Sequence, residues 1–433
     1  MRSAAEEFQE LTPEHESTGN PLGWPGYDEA RERAAAPESV IYGNAVIGGV
    51  KVVLIEFEFR FLGGSVGRAT GDRLVHAFRT ARERGVPVVS SIATGGSRMQ
   101  EGMFSLRQLQ RVVKECQLNR VSGIPHIAVL RDPTTGGVWA SLGSGGDVVL
   151  GVEGAQVGFA GRRVRKPEEA EHPAFTAEGQ FAAGQVDAVV RPDDLAKTVG
   201  TWLELLTGGQ PEPAEVPHAL GEAELPESGW DAVLRARAPR RPRAQAYLES
   251  YLDSYALISG DRAGGVDSGM LCGIGRRGGR SIAFAAQTGT PTRPAGYRTA
   301  TRLIGLANRL GIPVLTLIDT PGADNSAASE AAGLAPSIAG AFSAAVSTRI
   351  PVTTLVIGEG GSGGALALAG PERTWITPDG YFSVIGPQAA ASILKRPEDD
   401  VPAVADQLKL RPQDLLELGL VAGIASPSVD RWR

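Results

Sequence analysis

The chain alternates short apolar runs with glycine-rich breaks, and it does so twice in the same order. Residues 85–102 read GVPVVSSIATGGSRMQEG and 123–138 read GIPHIAVLRDPTTGGV, while 311–330 read GIPVLTLIDTPGADNSAASE and 349–364 read RIPVTTLVIGEGGSGG. In each half the two Pro-led runs start 38 residues apart, and the halves are offset by 226 positions. Runs of Val, Ile and Leu without polar alternation predict strands buried on both faces. Each run breaks into glycine and then into helical spacing. Amides at such helix starts lack an intrahelical acceptor and favour negative charge.

The flanking pattern fills in the rest. Alternating runs at 40–47 and 50–57 predict two strands joined by a hairpin turn at Gly48–Gly49. The stretch 65–84 has helical spacing, with Leu74, Ala77, Phe78 and Ala81 on one face, followed by a strand at 86–92, a helix at 103–122 and a strand at 125–130. Short apolar segments at 147–152 and 155–159 close the unit. The second half predicts strands at 269–275 and 280–286, a helix at 296–310, a strand at 313–318, a helix at 330–347, a strand at 352–357 and a helix after the glycines. This βαβ-type alternation predicts two homologous α/β domains, at 39–206 and 246–433. Residues 1–38 read as a loose polar lead-in with a short helix around Tyr27 to Ala36. Residues 207–245, rich in Pro and charge, read as a linker whose basic run Arg235–Arg243 is solvated.

Composition narrows the function classes. A chain of 433 residues can bury sizeable cores in two or three domains. Its 56 glycines, about twice ordinary usage, cluster after the apolar runs, which suits tight turns and close backbone approach to a ligand. A net charge of −6, with no basic stripe interleaved with aromatics, argues against nucleic-acid binding. Two cysteines, Cys116 and Cys272, cannot build a disulfide framework or a Cys-rich zinc site within one chain, so a reducing cytoplasm is expected. The acidic start MRSAAEEFQELTPEHEST is no secretory signal, and no apolar run of about 20 residues predicts a membrane span. The histidines at 15, 76, 126, 172 and 218 show no metal-ligand spacing, and His126, inside an apolar run, reads as a core residue. Ser141 and Ser362 lack a nucleophile elbow, and apart from Lys114 near Cys116 neither cysteine has the charged surroundings of a nucleophile.

The first half carries GNPL at 19–22, FLGGSVG at 61–67, GGSRMQEG at 95–102, DPTTGGV at 132–138 and GFAGRRV at 158–164. The second carries GYR at 296–298, IDTPGA at 318–323, VIGEGGSGGALAL at 356–368, SVIGP at 383–387 and ASIL at 391–394. In these motifs the chain resembles the carboxyltransferase component of biotin-dependent acyl-CoA carboxylases, with a β-subunit-like half followed by an α-subunit-like half. That family belongs to the crotonase superfamily, so the resemblance implies two tandem crotonase-like β-β-α superhelix domains. The departures are specific. The family's four-cysteine zinc ribbon does not precede the first half, and no metal is implied. The usual Ala of the Gly-Gly-Ala-Arg-Met motif is Ser97. The segment DNSAASEAAGL at 324–334 keeps Glu330 and Gly333 but lacks the family's Arg and Gln.

The resemblance implies transfer of a carboxyl group from carboxybiotin to the α-carbon of acetyl-CoA or a related acyl-CoA, in fatty acid or polyketide biosynthesis. Negative charge then develops on the thioester oxygen and on the ureido oxygen of biotin, and backbone amides suit both. By resemblance Gly136 and Gly137 hold the thioester oxygen, and Gly363 and Gly364 hold the ureido oxygen, with Gly360, Gly361, Tyr297 and Arg298 on the biotin side. Gly95, Gly96, Arg98, Arg162 and Arg163 are the expected CoA contacts, the arginines facing phosphate. Biotin itself is expected to take the substrate proton, so no side-chain base is required. The chain has no ATP-grasp module and no Met-Lys-Met attachment site, so the resemblance implies a separate biotin carboxylase and biotin carboxyl carrier protein. It also implies a homodimer or larger ring with the active site between protomers. Two other readings remain open here: a decarboxylase of the same superfamily acting on a malonyl-type or other carboxylated thioester or acid, and an inactive scaffold.

Overall fold

Why a run buried on both faces needs a partner on each side is visible in the computed structural model, which describes residues 1–34 and 36–428. Two compact units form, one from residues 1–207 with 262–264, the other from 208–261 with the chain from 265 onward. Ala35, within the expected lead-in helix, and the last five residues of the expected second domain lie outside the described residues.

The first unit holds strands β1 (Glu7–Glu10), β2 (Val40–Ile47), β3 (Val50–Phe57), β4 (Val88–Thr94), β5 (His126–Thr135), β6 (Val148–Val152), β7 (Val157–Gly158) and β8 (Ala188–Val190). They make one sheet in the order β1-β2-β3-β4-β5-β6-β8, with β7 beside the end of β5. The β1–β2–β3 part is antiparallel, and from β3 onward every pairing is parallel. Its helices are α1 (Tyr27–Glu32), α2 (Arg68–Arg84), α3 (Gly102–Val121), α4 (Gly136–Val138), α5 (Ala177–Ala182) and α6 (Leu195–Thr207). The expected face of α2, Leu74, Ala77, Phe78 and Ala81, is buried in the main core.

The second unit repeats the plan with β9 (Ser254–Ile258), β10 (Met270–Arg277), β11 (Arg280–Gln287), β12 (Val314–Thr320), β13 (Val352–Gly361), β14 (Thr374–Ile376), β15 (Tyr381–Ser383) and β16 (Gly423–Ile424). The order β9-β10-β11-β12-β13-β14-β16, with β15 beside β13, matches the first sheet strand for strand. Even the irregularity repeats: the register slips between Ile92 and Thr94 in one sheet and between Ile318 and Thr320 in the other, the same 226-residue offset. Its helices begin with α7 (Gly229–Arg237), α8 (Ala244–Tyr251), α9 (Pro294–Leu310), α10 (Ala327–Ala331), α11 (Leu334–Ser347) and α12 (Ser362–Leu366). The helix expected over 330–347 is two helices, because Gly333 takes a left-handed φ of +80° and starts a new one.

The stretch 207–245 is no linker. Ala214 and Ala219 are buried, α7 buries Ala232, Val233 and Ala236, and the unit boundary falls before Gly208. The basic run is not solvated either. Arg241 Nη2 lies 2.5 Å from Asp319 Oδ1, Arg243 Nη1 lies 3.2 Å from Asp319 Oδ2, and Arg237 lies 2.8 Å from Glu359 Oε2. The arginines here satisfy acids at the ends of β12 and β13, which are distant in sequence and therefore invisible to a local composition test.

The lead-in is likewise built in. β1 adds an edge strand to β2, Arg73 pairs with Glu16, and the Ser17 hydroxyl donates to Asp72 at 2.6 Å. Tyr27 and Glu38 meet Arg98, whose side chain is fully buried. Arg98 is therefore a structural cation and not a phosphate contact: its guanidinium pairs with Glu38, lies 3.2 Å from Glu101 Oε1 and donates to Ser65 O at 2.8 Å. Tyr27 Oη donates to Glu101 Oε1 at 2.5 Å. Burial and this bond push the Tyr27 phenol up to about 12. Burial alone would raise the Glu38 carboxyl, but Arg98 more than offsets it and holds Glu38 below the usual carboxylate range.

His126 is a core residue, its Nε2 2.9 Å from Ser90 Oγ and its ring edge-on to Phe78. Burial depresses its pKa from 6.5 to about 4. Because the folded value is depressed, its contribution is present above pH 6.5 and is lost as pH falls toward 4; the loss reaches roughly 3 kcal/mol. The substitution His126→Gln should remove that limb from the pH dependence of unfolding free energy, measured by urea titration between pH 4 and 7; an unchanged profile would contradict a buried neutral histidine. Arg98→Leu should cost about 3–5 kcal/mol in the same assay, since it leaves the buried Glu38 without its cation and Glu101 with Arg68 alone.

Candidate functional site

In the first unit the glycine turns after β4 and β5 lie against each other. Gly96 and Gly136 take φ of +108° and +71°, and a Cβ on Gly136 would sit 3.2 Å from the Gly96 Cα. Thr94 organises the first turn: its hydroxyl donates to Gly64 O at 2.7 Å and accepts the Gly96 amide at 3.0 Å. Gly95 donates to Gly63 O at 2.8 Å. Both members of the expected Gly95–Gly96 pair thus serve the turn itself.

The Gly136 amide donates to Phe159 O at 3.0 Å. Gly136 is therefore a turn-former, a correction to its expected role as an oxyanion donor. The donors at the head of α4 begin with Gly137. A Cβ there would meet only the flexible end of Leu109, 2.4 Å from its Cδ1. Beyond α4 the chain widens into a π turn over Trp139–Gly143, a departure from α geometry that often accompanies functional sites.

The second unit repeats these details with one exchange. The Thr320 hydroxyl donates to Thr290 O at 2.9 Å and accepts the Gly322 amide at 3.2 Å, as Thr94 does with Gly64 O and the Gly96 amide. At the head of α12 the 226-residue offset aligns Ser362 with Gly136, and Ser362 takes the same left-handed backbone at φ +57°. Gly363 is then the counterpart of Gly137.

Steric tests separate the glycines of this turn. A Cβ on Gly361 would lie 2.1 Å from Pro321 O, one on Gly360 2.7 Å from Tyr381 O, and one on Gly364 2.6 Å from the Ala323 amide nitrogen. These three are glycine because the fold has no room. Gly363 has nothing within 4 Å of its Cβ position and an ordinary φ, so nothing among the described residues requires glycine there.

The other expected contacts fall in different places. Tyr297 is fully buried and its hydroxyl donates to Gly364 O at 3.1 Å, so it touches the turn's backbone and not a ligand. Arg298 is held by Asp261 at 2.6 Å, with further bonds to Ser337 Oγ and Ala332 O. It borders a cavity of about 300 Å³ between α9 and α11 that Pro336 and Gly340 also line. These bonds engage Arg298 with Asp261 and the α10–α11 segment. Arg162 is exposed and pairs with Glu171, and Arg163 is exposed beside it. Arg165, which the sequence did not single out, is the buried arginine of that loop, 3.9 Å from the Phe175 ring centroid and bonded to Gln156 Oε1 at 2.8 Å.

Burial pushes the thiols of Cys116 and Cys272 up to about 12, away from nucleophile chemistry. Among the described residues no group of three or more His, Cys, Asp or Glu could hold a metal ion, and no helix is long and apolar enough to cross a membrane.

Known proteins match both halves. The family described as carboxyl transferase domain matches residues 22–179, and the acetyl co-enzyme A carboxylase carboxyltransferase-like family matches residues 225–429. The acetyl-coenzyme A carboxylase carboxyl transferase subunits beta/alpha of Salinispora tropica are 38% identical, over 91% of this chain and 74% of that protein. A probable biotin-dependent acyl-coenzyme A carboxylase beta3 subunit of Mycobacterium tuberculosis is 33% identical, over 90% of this chain and 80% of that protein. Among solved structures, transcarboxylase 12S superposes with a TM-score of 0.80 at 21% identity, over 98% of this chain and 84% of that one. A single-chain, multi-domain long-chain acyl-CoA carboxylase superposes at 0.78 and 18% identity, over 98% of this chain and 45% of that one. These two likenesses establish the two-domain crotonase-like fold. The doubled sheet, the paired glycine turns and the relatives spanning both halves together show that the chain belongs to the carboxyltransferase components of acyl-CoA carboxylases.

Proposed function

We propose that this carboxyltransferase moves a carboxyl group from carboxybiotin to the α-carbon of a CoA thioester, with one oxyanion held at each glycine turn. The observation that carries this reading is Gly363. Its neighbours Gly360, Gly361 and Gly364 are forced by packing, whereas Gly363 keeps an empty Cβ position at the head of a helix. A ligand oxygen approaching the backbone accounts for a glycine that the fold does not need.

The geometry supports one division of roles. Gly137 heads α4 and supplies amides to the thioester oxygen as it becomes an enolate, while Gly136, Gly95 and Gly96 fix the turn. Gly363, with the amides that follow it in α12, receives the ureido oxygen. Carboxybiotin brings the carboxyl group and, once that has left, the basic site for the substrate proton. Arg162 and Arg163, exposed after GFAG, are the cations available to CoA phosphates now that Arg98 is committed to Glu38 and Glu101.

Biotin carboxylase and a biotinylated carrier are the proposed partners, in the cytoplasm. A homo-oligomer is supported by α3, which buries Val112 alongside the polar Ser105, Gln108, Glu115 and Asn119 while Met103, Phe104 and Leu106 face outward. An exposed apolar patch at the start of a helix suits burial against another protomer.

With biotin carboxylase, biotinylated carrier, ATP and bicarbonate, the chain should carboxylate at least one member of a panel of short acyl-CoA substrates. Loss of CO₂ from malonyl-type thioesters without any biotin would instead support the decarboxylase, and inertness of the folded oligomer in both assays would support the scaffold. Gly363→Ala should fold with stability within about 1 kcal/mol of the parent, or slightly above it, yet lose on the order of 100-fold in biotin-dependent turnover. Gly361→Ala should instead fail to fold normally, which thermal unfolding would reveal. Phe104→Glu should shift the sedimentation coefficient toward the monomer; an unchanged value would remove α3 from the interface.

A further inference from the structure

The second glycine turn is held by side chains from other elements, whereas the corresponding carbonyl of the first, Val138 O, meets the Ser141 hydroxyl one turn further along its own helical stretch at 3.4 Å. Helix α12 is only five residues long, and the amides beyond it return to Gly363 O and Ala365 O, from Ala367 at 3.0 Å and Leu368 at 3.3 Å. The carbonyl between them, Gly364 O, is met instead by two side chains: Tyr297 Oη at 3.1 Å and Gln287 Nε2 at 3.2 Å. Both side chains are fully buried. Burial raises the Tyr297 phenol above its ordinary pKa, so the hydroxyl remains a donor at any working pH.

Gln287 holds this position at a cost. Its Nε2 also donates to Thr292 Oγ1 at 3.2 Å, but its Oε1 is buried without a partner. A core selected for stability alone would not keep an amide with an orphaned acceptor. Thr292 in turn donates its amide to Gly322 O and accepts the Asp324 amide, so the same cluster grips both glycine turns of the unit.

The first unit provides an internal control. There the strand position matching Gln287 is Phe57, since β3 and β11 correspond end for end, and the helix position matching Tyr297 is Gly71. The same strand, bulge and turn are built without either donor. The two side chains are therefore not a requirement of the fold.

We propose that Gln287 and Tyr297 are positioning residues which, by jointly fixing the Gly364 carbonyl, aim the amides at the head of α12 at the oxygen of the biotin side. This rests on the carboxyltransferase reading above. A peptide cannot rotate when its carbonyl is held by two donors from different elements, β11 and α9, and the short helix has no length of its own to resist tilting. Neither side chain touches substrate. Both act through the backbone.

The test uses the full chain and free biotin as the probe, in the reverse reaction with the carboxylated form of whichever CoA the panel identifies. Tyr297→Phe keeps the ring and removes one donor; Gln287→Met keeps the volume and removes the other. Each should lower kcat/KM for biotin about tenfold, with KM for the CoA thioester unchanged, and the double variant should fall on the order of 100-fold. Gln287→Glu, which can donate only when protonated, should recover activity relative to the parent as pH falls. Thermal midpoints by circular dichroism separate the alternatives. If both KM values move together with a lower midpoint, the residues are merely structural and the proposal fails; if kinetics are unchanged in the folded variants, it fails outright. A parent protein with no biotin-dependent turnover on any thioester would overturn the carboxyltransferase reading itself, an outcome distinct from either.

Discussion

Buried guanidinium–carboxylate contacts hold up the glycine turns in both units. A turn made of glycine brings a backbone close to a ligand but contributes no side chain to packing, so its rigidity has to come from what lies beneath. In the first unit that is Arg98 with Glu38 and Glu101, against which Gly67 is pressed so closely that a Cβ would lie 2.6 Å from Arg98 Nη1. In the second it is Asp319 with Arg241 and Arg243, against which Gly289 and Gly358 are pressed in the same way. Removing one partner strands a buried charge. The ion pairs and the glycines around them are therefore one unit: the charges need the space and the turns need the anchor.

The same dependence explains what was legible in the sequence. Strand and helix positions in the repeats followed from local periodicity, and β2, β3 and their Gly48–Gly49 turn emerged at the expected residues. What periodicity misses is pairing across long separations. Arg98 carries no mark showing that Glu38, 60 residues earlier, will claim it. Arg241 stands 78 residues before Asp319, in a proline-rich stretch whose composition is that of a solvated linker. The resemblance placed Arg98 at phosphate and local composition placed Arg241 in solvent, and in each case the partner lay elsewhere in the fold. A lone acid just before a strand, as at Glu38, or ending one, as at Asp319, is the one available signal that a distant cation is needed.

At the site itself, glycine content pointed to the turns but could not rank their members. Gly136 and Gly137 look equivalent in the sequence, yet the Gly136 amide is taken by Phe159 O. Gly360, Gly361, Gly363 and Gly364 look like one tract, yet only Gly363 has an open Cβ position. Backbone hydrogen bonding and steric clearance decide which glycine serves the fold and which is left for a ligand, and neither is a property of composition.

The two halves finally differ in what they ask of the same scaffold. Ser362 accepts a left-handed φ that Gly136 adopts without strain, which costs on the order of 1 kcal/mol for a residue with a Cβ. Nothing about strand order or register requires it, since the first unit makes the turn with glycine. A strained serine, an amide with an orphaned acceptor at Gln287 and a phenol at Tyr297 all gather around one five-residue helix, while the corresponding α4 is followed by a π turn and has none of them. Duplication supplied two turns of the same shape. The energetically unfavourable details accumulated on the second, where a helix of five residues has the greatest need of being held.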